Sequence, residues 1–151
     1  QHKIIDAFGK RVMERNKISF KKLAEVAFSD KIEQNILNGI MWPEIFILVD
    51  KSIEKSTIKK TKLFVLDAAM IFEANFHNIL DSTLLISTRK EHRIARALKR
   101  KNLHLEQIQN RMSLQMPETE KKRLATTIIE NNGTADYFDK KLNAFYNSLN
   151  L

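Results

Sequence analysis

The sequence predicts an α/β fold in which helices cover both faces of a parallel β-sheet. Two short apolar runs, 63–66 and 83–86, and a weaker third run, 126–129, have the length and β-branched content of strands buried on both faces. Helical patterns separate these runs, and strands that alternate with helices are typical of βαβ units. The 151 residues contain only three Gly and two Pro, which leaves little turn chemistry for an all-β fold.

The chain before the first predicted strand has the pattern of a helical region. Apolar residues at helical spacing predict a first helix that ends near residues 15–16. Ser19 is the predicted N-cap of a second helix, which stops near residue 29. A third helix is predicted over 32–40, and Pro43 suits the first turn of a longer fourth helix.

The second half of the chain alternates strands with helices. Helices are predicted over 91–101 and 117–125, and a closing helix begins near Ala135. In open α/β sheets, ligands bind just beyond the carboxyl ends of the strands, so we expect the functional site there. In this chain those ends carry residues 67–73, 87–90 and 130–134.

Composition narrows the classes of function. Lys and Arg number 26 against 18 Asp and Glu, so the net charge is +8. A nucleic acid, an acidic membrane surface or a polyanionic small molecule would use this charge, and a solvated Lys-rich surface would explain it without a partner. The absence of Cys excludes a disulfide scaffold, a thiolate metal site and a Cys nucleophile, and we expect a reducing, cytoplasmic setting. No apolar run approaches the roughly 20 residues of a membrane span.

Arginines are concentrated in the stretch that follows the second predicted strand. Arg93, Arg96 and Arg100 lie at i, i+3 and i+7, so a helix would place all three guanidinium groups on one side. Arg111 and Gln115 lie one helical turn apart. Arg is suited to clamping phosphate because its planar fork matches two oxygens at once. The stretch indicates a phosphate-binding surface, and an ordinary basic helix face is the alternative.

The same stretch resembles the lid and C-terminal part of dephospho-coenzyme A kinases. The resemblance lies in Arg-Met-Ser-Leu-Gln-Met-Pro at 111–117, in the segment 120–125, and in Ile-Ile-Glu-Asn-Asn-Gly-Thr at 128–134. It covers essentially the whole chain, because further matches follow in the family's order. These are residues 21–30, 66–73 and 96–100.

This resemblance implies a P-loop nucleoside-kinase-like fold, three-layered αβα, with a helical lid and a helical acceptor-side insertion. It also implies a reaction: transfer of the γ-phosphoryl group of ATP, with Mg²⁺ as cofactor, to the ribose 3′-hydroxyl of dephospho-CoA. Arg111 would reach the ATP phosphates, braced by Gln115, while Arg96 and Arg100 would supply supporting positive charge. Asn131 matches the adenine-contacting position, and a turn-forming role is its alternative.

The acceptor side is assigned from the same resemblance. Asp67 and Glu73 would border the acceptor pocket, with Asp67 near the magnesium ion, although Asp67 could instead cap a following helix. Phe72 and Phe76 would line an apolar wall for the pantetheine arm, and a place in the core is the alternative for at least one of them.

The resemblance also divides the chain into parts. Residues 1–62 would bind the acceptor, 103–116 would form the lid, and 63–102 with 117–151 would form the core of a single domain. The expected partners are the two small-molecule substrates, with no nucleic acid and no membrane. Four scattered His give no metal-ligand spacing, so no metal site is expected within the 151 residues themselves.

The sequence departs from the family pattern in one central respect. It contains no Gly-x-x-x-x-Gly-Lys-Ser/Thr motif, whose amides and Lys hold the nucleotide phosphates, and no Asp-x-Asp motif for a general base. We therefore expect that roughly 30 or more residues, the length of at least one βαβ unit, precede Gln1 in the full protein. The 151 residues alone are expected to be inactive, and a truncated or degenerate homologue that binds CoA or nucleotide without catalysis is the alternative. Smaller departures are Ser19-Phe20, Trp42, Ala69 and Thr126.

Overall fold

The computed structural model describes residues 1–100 and 104–151. The chain forms two compact units. Unit 1 comprises Gln1–Lys59 and Asn110–Leu114, and unit 2 comprises Lys60–Gln109 and Gln115–Leu151. In the part of the chain that the structure describes, no helix is long and apolar enough to cross a membrane.

The first predicted helix is wrong in its length. Helix α1 (His2–Phe8) ends at Gly9, whose φ of 62° is a left-handed conformation that glycine adopts without strain. A 3₁₀ turn (Gly9–Val12) follows, and then the strands β1 (Met13–Glu14) and β2 (Lys17–Ile18) form an antiparallel hairpin. Its two turn residues, at positions 15 and 16, both have positive φ, as the tightest hairpin turns require. Phe8 and Val12 are buried in the core although the helix ends between them, so the spacing of apolar residues does not reveal where the helix stops.

Two N-caps define the next helices. Ser19 caps α2 (Phe20–Ala27), because its hydroxyl oxygen accepts a hydrogen bond from the Lys22 amide, as predicted. Asp30 caps α3 (Lys31–Ile58), and one of its carboxylate oxygens accepts hydrogen bonds from the amides of Ile32 at 2.8 Å and Glu33 at 2.9 Å. These hydrogen bonds, led by the one from Glu33, lower the pKa of the Asp30 carboxyl.

The predicted break at Pro43 is wrong, because α3 continues through it for 28 residues. Proline removes one helical hydrogen bond, the one that would reach the carbonyl of Gly39. The turns before it are held by the Asp30 cap and by packing of Leu37 and Ile40 against the core of unit 1. That core is a cluster of buried residues from α1, the 3₁₀ turn and α2. Its members are Phe8, Val12, Leu23 and Ala27.

The sheet of unit 2 confirms two predicted strands and their parallel arrangement. Strand β3 (Leu84–Ser87) pairs in parallel with β4 (Thr127–Glu130), with Leu84 opposite Thr127 and Ser87 opposite Glu130. Reciprocal hydrogen bonds join the start of the pair, since Thr83 and Thr126 each bind the other's amide through the side-chain hydroxyl, at 3.0 and 3.2 Å.

The first predicted strand, 63–66, is wrong. In the described residues this segment has no strand assignment, and the side chains of Leu63 and Val65 are 40% and 71% exposed. An extended apolar run becomes a strand only when a neighbour accepts and donates its backbone hydrogen bonds. Burial on both faces would further require covering layers, and the local pattern of residues supplies neither.

The helices of unit 2 follow the predicted order. They are α4 (Lys90–Lys99), α5 (Leu105–Ser113), α6 (Glu118–Leu124) and α7 (Ala135–Ser148), of which α5 ends within unit 1. The predicted end of the helix 91–101 and the predicted start of the lid at residue 103 lie outside the described residues. A second 3₁₀ turn, Phe76–Ile79, precedes β3.

Candidate functional site

Two hydrogen bonds join the carboxyl ends of β3 and β4. The amide of Asn131, just after β4, donates to the carbonyl of Ser87 at 2.8 Å. The Thr88 hydroxyl, just after β3, donates to the Asn131 carbonyl at 3.4 Å. Ser87 and Thr88 are buried, whereas Asn131 is half-buried. The fold therefore places Asn131 at the edge where parallel sheets bind ligands.

Two predicted site residues, Arg96 and Asn131, contact each other directly. The guanidinium of Arg96, on α4, donates to the Asn131 backbone carbonyl at 3.1 Å and to its side-chain oxygen at 3.3 Å. Both contacts are made by one nitrogen, Nη2. They fix the orientation of the Asn131 amide and direct its NH₂ group away from the arginine.

The three arginines of α4 have separate environments. Arg93 forms an ion pair with Glu118 of α6 at 2.8 Å, and both side chains are about one-third exposed. Glu118 also accepts a hydrogen bond from the buried Ser87 hydroxyl. Arg100 is the exposed C-cap residue of α4. One member of the expected arginine row is therefore neutralised by a carboxylate, while Arg96 holds Asn131.

Glu73 lies in a second polar cluster of unit 2. Its Oε1 atom forms an ion pair with Lys121 of α6 at 2.9 Å and accepts the Met116 amide at 2.9 Å. Phe72 is buried with its ring against His77, at a centroid distance of 5.5 Å. Asp67 is exposed on the irregular chain that precedes the turns at residues 69–75.

Arg111 belongs to unit 1, where aromatic stacking holds it. Its guanidinium carbon lies 4.8 Å from the centre of the Phe28 ring. The neighbouring Asn110 side chain donates to the Phe28 carbonyl at 2.6 Å, and Lys31 donates to the Leu114 carbonyl at 2.9 Å. The segment is thus tied down on both sides of Arg111. Gln115, one turn further along the chain, is half-buried in unit 2.

Sequence reasoning missed Glu118 and Lys121. They lie three residues apart on α6, directly after Pro117, so both point to the same side of that helix. An acidic residue in the first turn of a helix is ordinary by itself, and the two reach different partners only because the chain folds back on residues 69–73 and on α4. Within residues 1–100 and 104–151, no group of three or more His, Asp or Glu side chains is arranged to hold a metal ion.

Comparison with known proteins identifies the family. The family model described as dephospho-CoA kinase matches residues 1–136. The dephospho-CoA kinase of Lactobacillus acidophilus is 34% identical over 143 residues, which cover 92% of this chain and 70% of that protein. The chain spans 60% to 74% of the length of the curated relatives that it matches first.

Solved structures agree with this result. The dephospho-CoA kinase from Campylobacter jejuni superposes with a TM-score of 0.62 at 25% identity, covering 97% of this chain and 74% of that one. A protein from Thermus thermophilus superposes with a TM-score of 0.73 at 26% identity, covering 98% and 75%. The expected P-loop kinase fold class is therefore confirmed, and the chain belongs to the dephospho-CoA kinase family.

Proposed function

We propose that the full protein transfers the γ-phosphoryl group of ATP to the ribose 3′-hydroxyl of dephospho-CoA. In this reaction the 3′-oxygen bonds to the γ-phosphorus, the bond from the γ-phosphorus to the β,γ-bridging oxygen breaks to release ADP, and the hydroxyl proton passes to solvent. The observation that carries the proposal is the family match over residues 1–136, which includes Arg96, Arg111 and Asn131.

Arg111 is the residue proposed to act on the transferred group. Phosphoryl transfer is catalysed mainly by positioning and by stabilisation of charge on the phosphoryl oxygens. The cation–π contact with Phe28 involves no hydrogen bond of the guanidinium, so its N–H donors can bind two phosphate oxygens at once. In this proposal Gln115 braces the lid arginine, and Arg100 adds positive charge to the phosphate site.

Asn131 is proposed to bind the adenine ring of ATP. Its side-chain oxygen is already engaged by Arg96 at 3.3 Å, so its NH₂ group is the part directed to a ligand. An NH₂ group can donate to a ring nitrogen of adenine. Arg96 would then contribute positive charge near the nucleotide and also fix the amide.

The acceptor side and the magnesium ion complete the proposal. The family resemblance assigns Asp67, Phe72 and Glu73 to the acceptor pocket, and in this proposal Asp67 and Phe72 bind there. Mg²⁺ usually binds through substrate phosphates together with one or two carboxylates, so we propose that it enters with ATP. There it neutralises charge on the phosphate oxygens.

An enzymatic assay tests this function. The protein expressed from its intact gene is incubated with ATP, Mg²⁺ and dephospho-CoA, and products are identified by mass spectrometry. We expect equimolar CoA and ADP. ATP binding without formation of CoA, under conditions where the Lactobacillus acidophilus relative is assayed in parallel and turns over, would contradict the proposal. The Asn131→Ala variant should raise the KM for ATP about tenfold, because the proposed hydrogen bond to the base is lost.

A further inference from the structure

A buried ion pair in unit 2 joins two stretches that are far apart in sequence, residues 69–73 and residues 116–121. Oε1 of Glu73 binds Nζ of Lys121 and the amide of Met116, each at 2.9 Å. Lys121 also donates to the carbonyl of Ala69 at 3.2 Å. The side chains of Glu73 and Lys121 are only 7% and 12% exposed. The pair therefore connects residues 69–73, the chain at 116 and helix α6.

Burial at this level argues that the pair has a specific role. Desolvation offsets most of the attraction in a buried ion pair, so apolar residues of similar volume often stabilise a fold as well or better. Both donors converge on one carboxylate oxygen, and the other oxygen, Oε2, is buried without a hydrogen-bond partner among the described residues. The carboxylate is therefore oriented towards Met116 and Lys121.

The position of Met116 in the chain shows which segment lies next to the Glu73 hydrogen bond. Residues 110–114, which carry Arg111, belong to unit 1, and the chain returns to unit 2 at Gln115. Met116 is the second residue after this return, and its amide is the group that Glu73 binds. This hydrogen bond fixes the backbone at Met116, which lies five residues after Arg111 and two residues beyond the segment 110–114.

We propose that Glu73 and Lys121 are positioning residues that anchor this end of the Arg111 segment for phosphoryl transfer. The inference rests on the proposed function and gives Glu73 a role other than binding the acceptor. Lys121 holds the carboxylate, and the carboxylate holds the Met116 amide. Loss of either side chain frees the chain at Met116, so that the contact of Lys31 with the Leu114 carbonyl alone holds this end of the segment and Arg111 is positioned less firmly for the reaction.

Four variants of the intact protein test the anchor. Glu73→Ala removes both contacts, Glu73→Gln keeps a carbonyl oxygen for the Met116 amide but removes the charge, and Lys121→Met removes the cation. The fourth is the double variant Glu73→Gln/Lys121→Met. Glu120→Gln is the matched control, because Glu120 is exposed on the same helix and next to Lys121.

Two measurements separate positioning from substrate binding. The first is hydrogen exchange of the Met116 amide by NMR, which we expect to be about tenfold faster or more in Glu73→Ala, because the amide loses its acceptor. The second is steady-state kinetics. We expect kcat to fall about 10- to 100-fold in Glu73→Ala and Lys121→Met, because small misplacements of catalytic groups cause losses of this size. The KM for dephospho-CoA should stay within about threefold.

The double variant adds a test of coupling. Because the two side chains act through one contact, we expect Glu73→Gln/Lys121→Met to lose about as much kcat as the worse single variant, and not the product of both losses. The Glu120→Gln control should match the parent protein in exchange and in kcat.

Three results would overturn the proposal. One is a rise of more than about tenfold in the KM for dephospho-CoA in Glu73→Gln with kcat unchanged, which would mark an acceptor ligand. The others are unchanged Met116 exchange in every variant, or losses no larger than in Glu120→Gln. If Glu73→Ala does not fold, Glu73→Gln and Lys121→Met carry the same comparisons. If the parent protein makes no CoA, the proposed function fails, and Met116 exchange still decides whether the anchor exists.

Discussion

Arg93 and Arg111 show two ways in which this chain holds a guanidinium group. Arg93 pairs with the carboxylate of Glu118 at 2.8 Å, in a network that also includes the buried Ser87 hydroxyl. Arg111 lies over the ring of Phe28 at 4.8 Å, and no carboxylate in the described part of the chain forms an ion pair with it. The charge of the first arginine is balanced within the protein, and that of the second is not.

This difference distinguishes an arginine whose charge is paired within the protein from one that carries no ion pair, and spacing along the chain does not show it. Arg93, Arg96 and Arg100 share one spacing pattern on α4, yet Arg93 binds a carboxylate and Arg96 a neutral residue. A guanidinium that already binds a carboxylate contributes little to anion binding, because the field of the pair cancels at short range. An arginine held by an aromatic ring is positioned without being neutralised.

The largest expected effect comes from removing Arg111. Arg111→Ala should lower kcat for phosphoryl transfer by a factor of about 10³ or more, as loss of transition-state arginines does, with little change in thermal stability. Steady-state kinetics and a thermal unfolding curve measure both quantities. Arg123→Ala is the control, because Arg123 is an exposed arginine on α6. A kcat within a few-fold of the parent value would remove Arg111 from the catalytic machinery.

For the network of Arg93, Glu118 and Ser87 we expect a loss of stability with little change in kcat. Glu118→Ala leaves the buried Ser87 hydroxyl and the Arg93 guanidinium without their acceptor, which costs about 1–3 kcal/mol of unfolding free energy. Urea unfolding measures this loss, and kcat of the folded variant should change only a few-fold. Glu120→Ala, on the exposed side of the same helix, should be neutral. A large fall in kcat without loss of stability would mean that Arg93 serves the reaction.

A smaller effect tests the aromatic support of Arg111. Phe28→Leu removes the ring face while keeping an apolar side chain, and cation–π contacts at such sites contribute about 0.5–1 kcal/mol. We expect kcat to fall about two- to fivefold, since the arginine remains but is held less firmly. Phe28→Tyr keeps the ring face and should retain most of the activity. Equal losses in both variants would show that the ring acts by packing and not through the guanidinium.

The smallest effect concerns the cap beside this aromatic residue. Hydrogen bonds from the Glu33 and Ile32 amides lower the pKa of Asp30 in the folded state. Asp30 therefore contributes stability that is present above its unfolded pKa of about 3.9 and is lost as pH falls through the lower, folded value. Asp30→Asn should flatten this part of the stability profile between neutral and acidic pH, measured by urea unfolding. Asp50→Asn, exposed on the same helix, should leave the profile unchanged; a profile that Asp30→Asn also leaves unchanged would contradict the assigned cap.

Some of the site followed from the sequence because its signals are local. The carboxyl ends of two strands were predicted from short apolar runs, and the parallel pairing then brought Arg96 and Asn131 into contact. The N-cap at Ser19 and the start of α7 at Ala135 were predicted from residues within one turn of each boundary. A helix boundary or a short strand depends mainly on residues close to it in the sequence, so the sequence pattern is enough to predict it.

Other features could not be predicted, because their causes lie elsewhere in the chain. The run 63–66 has the composition of a buried strand, but a strand also needs a hydrogen-bonding neighbour. Pro43 has the local signature of a helix start, but capping and packing on the preceding turns carry α3 through it. The hairpin after α1 depends on positive φ at two residues whose side chains do not demand it.

The sequence by itself determined the family, the order of most helices and the two parallel strands, since these depend on composition and on periodicity over a few residues. Tertiary structure alone decided which charges are balanced within the protein. Glu118 forms an ion pair with Arg93, and Lys121 forms one with Glu73. Phe28 contacts Arg111 without neutralising its charge. The physical reason is that the attraction between two charges depends on their distance in space, and the number of residues between them along the chain does not determine that distance.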